Sequence, residues 1–114
     1  RGLSVMPCRS STLFEADFMD TAGCLVQVYT DGTVHVSHSG IEMGQGIHTK
    51  MAMIAAQTLG VPYENVRTGA TETDKVANTH PTAASSGTDL NGWAVYDGCR
   101  QIAERLAPLR KEHP

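Results

Sequence analysis

The sequence predicts an α+β fold: a small mixed or antiparallel sheet of about four strands, with two helices packed on one face. Three observations carry this expectation. Residues alternate with period two from Cys24 to Gly40, apolar positions switch to helical spacing after Gly46, and a second helical pattern follows a long unpatterned stretch that ends at Ser86.

The first strand is expected in "GLSVMP", Gly2 to Pro7, which is short, apolar and closed by proline. From Cys8 to Gly23 the chain reads as an irregular connection. "CLVQVYTDGTVHVSHSG" then reads as a hairpin, with Val26, Val28 and Thr30 on one face and Val34 and Val36 alternating with His35 and Ser37. Asp31-Gly32 supplies the reversal, because it tolerates the positive φ of tight turns.

A helix is expected from Gly46, since Ile47, Met51, Ile54, Ala55, Thr58 and Leu59 fall on one face. Gly60 caps it and Val61-Pro62 stops it. "NVRTGAT" is the last strand. Thr71 to Ser86 has no period and reads as a loop, long enough to suggest function. The second helix is expected to start near Thr88 or Asp89 as N-cap, to turn Leu90, Val95, Cys99, Ile102 and Leu106 inward, and to end before Pro108. "RKEHP" then reads as a solvated tail. No internal repeat is present.

With 114 residues, 40% hydrophobic and 18% charged, the chain suits a single domain, 1–114, with a modest core. Nine Lys+Arg against twelve Asp+Glu give a charge of -3, and no basic run exists to follow a phosphate backbone, so nucleic acid is excluded as a partner. No apolar run approaches the roughly 20 residues of a membrane span. Three widely spaced cysteines without a CxxC suit reduced thiols and a cytoplasmic location. The chain opens on Arg1 without a starting methionine, and the expectation is a piece of something longer.

Two stretches offer chemistry. "MGQGIHTK", Met43 to Lys50, places Gly44, Gln45 and Gly46 where a helix starts, so that backbone N–H groups can meet an anion or a polar ring edge. It is no P-loop, since Lys50 follows Gly44 by six residues without a glycine before it, and no dinucleotide fingerprint, since a third glycine is missing. "THPTAASSGTD", Thr79 to Asp89, sets small side chains and Gly87 at the second helix start. Plain turn and cap roles explain either stretch alone; both together suggest one shared ligand.

The histidines do not form a metal site. His35 and His38 stand three apart on a strand and point to opposite faces, while His48 and His80 lack partners in the local sequence. No GxSxG and no acid-base pair announces a nucleophile. Glu42 is expected to bond loop amides, and Cys99 to serve as a small buried hydrophobe.

Together, "VYTDGTVHVSHSGIEMGQGIHTKMAMIAAQTLGVP" and "NTHPTAASSGTDLNGWAVYDGC" resemble the molybdenum-cofactor-binding part of the xanthine dehydrogenase and aldehyde oxidase family. The likeness covers nearly the whole chain and is weakest from Cys8 to Asp20. It implies a molybdenum-molybdopterin cofactor, with FAD and 2Fe-2S clusters on other domains or subunits. It also implies hydroxylation of purines such as xanthine or hypoxanthine, of related N-heterocycles, or of aldehydes.

By position, the resemblance assigns cofactor binding to Gly44, Gln45 and Gly46 and to Thr82, Ala83, Ala84, Ser85 and Ser86. Gln45 bonds the cofactor, and the backbone around Ala83 to Ser85 lines its pterin and phosphate end. Gly87 stands where the family commonly has serine. The family's catalytic glutamate and its substrate-clamping residues have no counterpart here, so no catalytic and no metal-ligating residue is assigned. The partners implied are the rest of the large subunit, the FAD and iron-sulfur units and a small-molecule substrate; the isolated piece is expected to be inactive and to self-associate. The alternative is a non-catalytic anion-binding or structural packing module.

Overall fold

A computed structural model describes residues 1–9, 11–13 and 16–112. Three strands, β1 (Cys24–Val28), β2 (Val34–His38) and β3 (Val66–Thr68), form one sheet in the order β1-β2-β3. β1 and β2 are antiparallel, pairing Val26 with Val36 and Val28 with Val34, whereas β3 runs parallel to β2 with Val34 opposite Val66. The two parallel strands are joined through helix α1 (Ile47–Leu59), because a parallel pair needs a crossover that a hairpin cannot supply. Helix α2 (Gly87–Glu112) packs on β1 and against α1, and α1 covers β3 and part of β2.

The expected periods produce the observed core. Val34 and Val36 of the sheet, Ile47, Met51, Ala55 and Leu59 of α1, Val66, and Val95 and Cys99 of α2 are buried together. Burial pushes the Cys99 thiol up to about 12, with Cys24 adding to the shift, so it behaves as an apolar side chain. None of the three cysteines is in a disulfide. Gly60 caps α1 in the left-handed conformation at φ 70°, its N–H donating to Ala56 O at 2.9 Å.

The hairpin connection is wider than a two-residue turn. Tyr29 N donates to Thr33 O at 2.9 Å, Gly32 takes φ 84°, and Asp31 Oδ1 accepts from Thr33 N and Thr33 Oγ1 at 2.9 and 2.7 Å.

Three expectations are corrected. "GLSVMP" forms no strand, since Leu3, Val5 and Met6 are 97, 86 and 83% exposed and no neighbour supplies a ladder for them among the described residues, which leaves three strands rather than four. Helix α2 starts at Gly87, because Leu90 N donates to Ser86 O at 3.0 Å and makes Ser86 the cap residue in place of Thr88 or Asp89. The same helix continues through Pro108 into Arg110, Lys111 and Glu112. The proline is exposed, and Arg110 ties the last turns down by donating from Nη2 to Leu59 O at 2.6 Å.

Candidate functional site

The segment between β2 and α1 is braced by its own side chains. Gly44 and Gly46 adopt φ 99° and 76°, a region that disfavours any Cβ, and a Cβ on either would meet nothing within 4 Å. Backbone conformation therefore demands these glycines. Glu42 Oε1 accepts from Gly44 N and Gly46 N, both at 2.9 Å, and its Oε2 accepts from His48 N at 3.2 Å. These bonds, from Gly46 first and His48 next, hold the Glu42 carboxyl below its ordinary range. The α1 start thus carries its own anion, as expected for a carboxylate bonding loop amides. Gln45 crosses the loop, its Oε1 accepting from Met43 N at 2.7 Å and its Nε2 donating to Ile41 O at 2.9 Å. One Nε2 hydrogen remains for a ligand.

The second segment precedes α2. Ala84 and Ser85 take positive φ of 51° and 55°. The Ser86 hydroxyl turns back to donate to Ala83 O at 3.0 Å instead of capping the helix. The first amides of α2, on Gly87, Thr88 and Asp89, find no acceptor among the described residues. A Cβ on Gly87 would meet Ile47 Cδ1 at 3.2 Å, so the helix start sits close against α1.

The two segments meet. Ile41 N donates to Thr82 Oγ1 at 2.9 Å, and Lys50 Nζ reaches Thr88 Oγ1 at 3.5 Å. Between them lies a cavity of about 380 Å³ lined by Met43, Gln45, Ile47, Lys50, Thr82, Ala83, Ala84, Ser85, Gly87 and Thr88. Of the sequence-derived candidates, Gln45 and Thr82 to Ser85 face it directly. Gly44 and Gly46 shape its wall through the loop, while Ser86 is fully buried behind it. Lys50, read from sequence only as a helix residue, is at the rim.

This cavity offers both apolar contact and hydrogen-bond donors. Met43 and Ile47 offer apolar contact for a ring, Gln45 an amide hydrogen, and the α2 amides with Lys50 offer charge for an anion.

Two polar clusters escaped sequence reading because their members lie far apart in the chain. His38 Nε2 and His48 Nδ1 lie 2.9 Å apart, and Gly40 N donates to His38 Nδ1 at 3.1 Å. These bonds assign the Nε2–H tautomer to His38, which donates to His48. Burial pushes His38 down to about 4, His48 adding to the effect and Glu42 opposing it. His35 lies on the opposite face, its ring against Gly69, as the strand alternation required.

The second cluster joins Asp20, His80 and Ser86. His80 Nε2 is 3.1 Å from Asp20 Oδ1 and 3.4 Å from Ser86 Oγ. A relay from acid through imidazole to hydroxyl needs both ring nitrogens, and here both partners sit on one, so the trio is no nucleophilic triad. No group of three or more metal-ligating side chains occurs among the described residues.

Residues 1–114 match the family described as molybdopterin cofactor-binding domain. The chain is 52% identical over 114 residues to a xanthine dehydrogenase of Emericella nidulans, covering 100% of this chain and 8% of that protein. It is 51% identical over 114 residues to a xanthine dehydrogenase of Dictyostelium discoideum, with the same 100% and 8% coverage. A crystal structure of quinoline 2-oxidoreductase from Pseudomonas putida 86 superposes with TM-score 0.70 at 29% identity, covering 75% of this chain and 11% of that one. A CO dehydrogenase from Oligotropha carboxidovorans shares the fold, with TM-score 0.71 at 24% identity over 75% of this chain and 11% of that one. The chain thus spans about 8% of the length of the curated relatives named.

Proposed function

The chain belongs to the molybdopterin cofactor-binding domain family, and on that premise we propose that it supplies two walls of a molybdenum-pterin site within a longer hydroxylase of the xanthine dehydrogenase kind. The observation that supports this is the meeting of the Gln45 loop and the Thr82 to Ser85 segment at one cavity. Gln45 donates to the cofactor, the backbone of Ala83 to Ser85 lies along the pterin, and the free α2 amides with Lys50 take its phosphate end.

The two-electron oxidation of a purine, a related N-heterocycle or an aldehyde is the chemistry such a cofactor supplies when bound. This chain binds and orients; among the described residues the cavity lining holds no acid or base other than Lys50. Residues 1–114 act as one domain beside the remainder of the large subunit, with FAD and 2Fe-2S units as electron carriers, in the cytoplasm. No helix among the described residues is long and apolar enough to cross a membrane. Cut from that setting, the piece is inactive, and exposed Trp93, Tyr63 and Met53 favour its self-association, which light scattering measures.

The test is Gln45→Ala in the intact polypeptide. Molybdenum and pterin content or turnover should fall; unchanged values for both remove the role assigned to Gln45. An intact wild-type protein that contains neither molybdenum nor pterin overturns the whole reading.

A further inference from the structure

Ala84 and Ser85 form a consecutive pair of non-glycine residues with positive φ, 51° and 55°. L side chains crowd the backbone in this region, so such a pair persists only where surrounding contacts over-determine it. Both residues line the cavity wall.

Behind that wall the contacts are dense. The His80 ring is 3% exposed and the Asp20 carboxylate 10%, with Nε2 to Oδ1 at 3.1 Å. Because Asp20 accepts, Nε2 carries the hydrogen, and Ser86 Oγ at 3.4 Å shares it. Ser86 passes the constraint forward by donating to Ala83 O at 3.0 Å. His80 N also donates to Thr21 O at 2.7 Å, and Leu13 N donates to Ala84 O at 3.3 Å. Neither Asp20 nor His80 touches the cavity, and the connection that carries Asp20 looked irregular in sequence.

We infer that Asp20 and His80 are positioning residues, a buried pair that acts through Ser86 to hold the strained Ala84-Ser85 backbone in its ligand-presenting shape. The inference rests on the reading of Thr82 to Ser85 as a cofactor wall. A pair set in a dry site suits this task, since removing either member takes away a bond that water there does not replace.

The experiment uses the intact polypeptide carrying His80→Phe, Asp20→Ala, Asp20→Asn, or His80→Phe combined with Ser85→Gly. Molybdenum and pterin retention during dialysis is measured per folded protein, together with hydrogen exchange at Ala83 to Ser86. His80→Phe, which keeps a ring and removes the donor, and Asp20→Ala should lose cofactor at least about tenfold faster than wild type and exchange faster at Ala83 to Ser86 than in α1. Asp20→Asn keeps an oxygen acceptor and should stay near wild type. Glycine at position 85 accepts positive φ without strain, so the combined variant should regain retention.

Wild-type retention and exchange in His80→Phe, or no recovery in the combined variant, overturn the inference. Should His80→Phe fail to fold, Asp20→Ala against Asp20→Asn decides by the same two measurements. A wild-type protein without molybdenum or pterin sinks the cofactor reading, while the exchange comparison still decides whether the pair braces the segment.

Discussion

Thr82 Oγ1 accepts the amide hydrogen of Ile41 at 2.9 Å, a direct hydrogen bond by which the segment before α2 holds the segment before α1. The two are far apart in the chain, yet both border the cavity, so this bond sets the distance between its walls.

Thr82→Val keeps the side-chain shape and removes the acceptor. Ile41 is exposed, so water replaces the lost partner and the stability cost should be only about 0.5–1 kcal/mol. Cofactor retention should fall several-fold even so, because the walls lose one of their ties, and Thr82→Ser should restore it. Retention in Thr82→Val equal to wild type removes the bond from the site.

His38 titrates near pH 4 in the fold, against an ordinary 6.5. The unfolded chain therefore takes up the proton first as pH falls. The contribution of His38 is fully present above pH 6.5 and is lost progressively as pH drops toward about 4. Urea midpoints should decline across that window, with a shallower decline in His38→Gln. Imidazole NMR that finds His38 half-protonated at pH 6 or above rejects this account of the His38–His48 pair.

The periods of Val26, Val34 and Val36 and of Ile47, Met51, Ala55 and Leu59 were legible because burial imposes them residue by residue on strand and helix, whereas Val28 keeps the alternation at an exposed end of β1. The proximity of Gln45 and the Thr82 segment was legible as a coincidence of two small-residue helix starts. Pro108 misled because the lost N–H and the crowding of the carbonyl one turn back are tolerated in the exposed last turns of α2, where Arg110 bonds Leu59 O. Apolar letters alone suggested a strand at Leu3, Val5 and Met6, but a strand needs a partner. The pairs His38–His48 and Asp20–His80 have no local signature, since topology alone brings them together.

Gly60 and Gly98 both resist alanine, for different reasons. Gly60 has φ 70° and open space around its Cβ position, so Gly60→Ala should cost about 1–2 kcal/mol in backbone strain, and Gly60→Asn should recover part of it. At Gly98 a Cβ would lie 2.9 Å from Cys24 Sγ and 3.4 Å from Val26 Cγ2, where α2 crosses β1. Overpacking there should cost about 1–3 kcal/mol, offset by up to about 1 kcal/mol of helix propensity. Gly98→Asn should be worse than Gly98→Ala. The opposite asparagine responses, read from urea denaturation, separate the two causes; matching responses defeat the assignment.

Glu42 fills the positive end of α1 with three amide bonds, two to Oε1 and one to Oε2, whereas no carboxylate does so at the start of α2 among the described residues. Its carboxyl is held below the ordinary 4.5, so its stabilising contribution is present above that pH and disappears as pH falls through the lower folded value. Glu42→Gln keeps the length but loses the charge and one acceptor oxygen, and it should flatten the acid limb of the stability curve. Glu42→Ala frees the amides of Gly44, Gly46 and His48 together. Inorganic sulfate should then raise the melting temperature of Glu42→Ala more than that of wild type, because the anion takes the vacated place of the carboxylate. An equal response to sulfate in both proteins shows that Glu42 does not guard the α1 start.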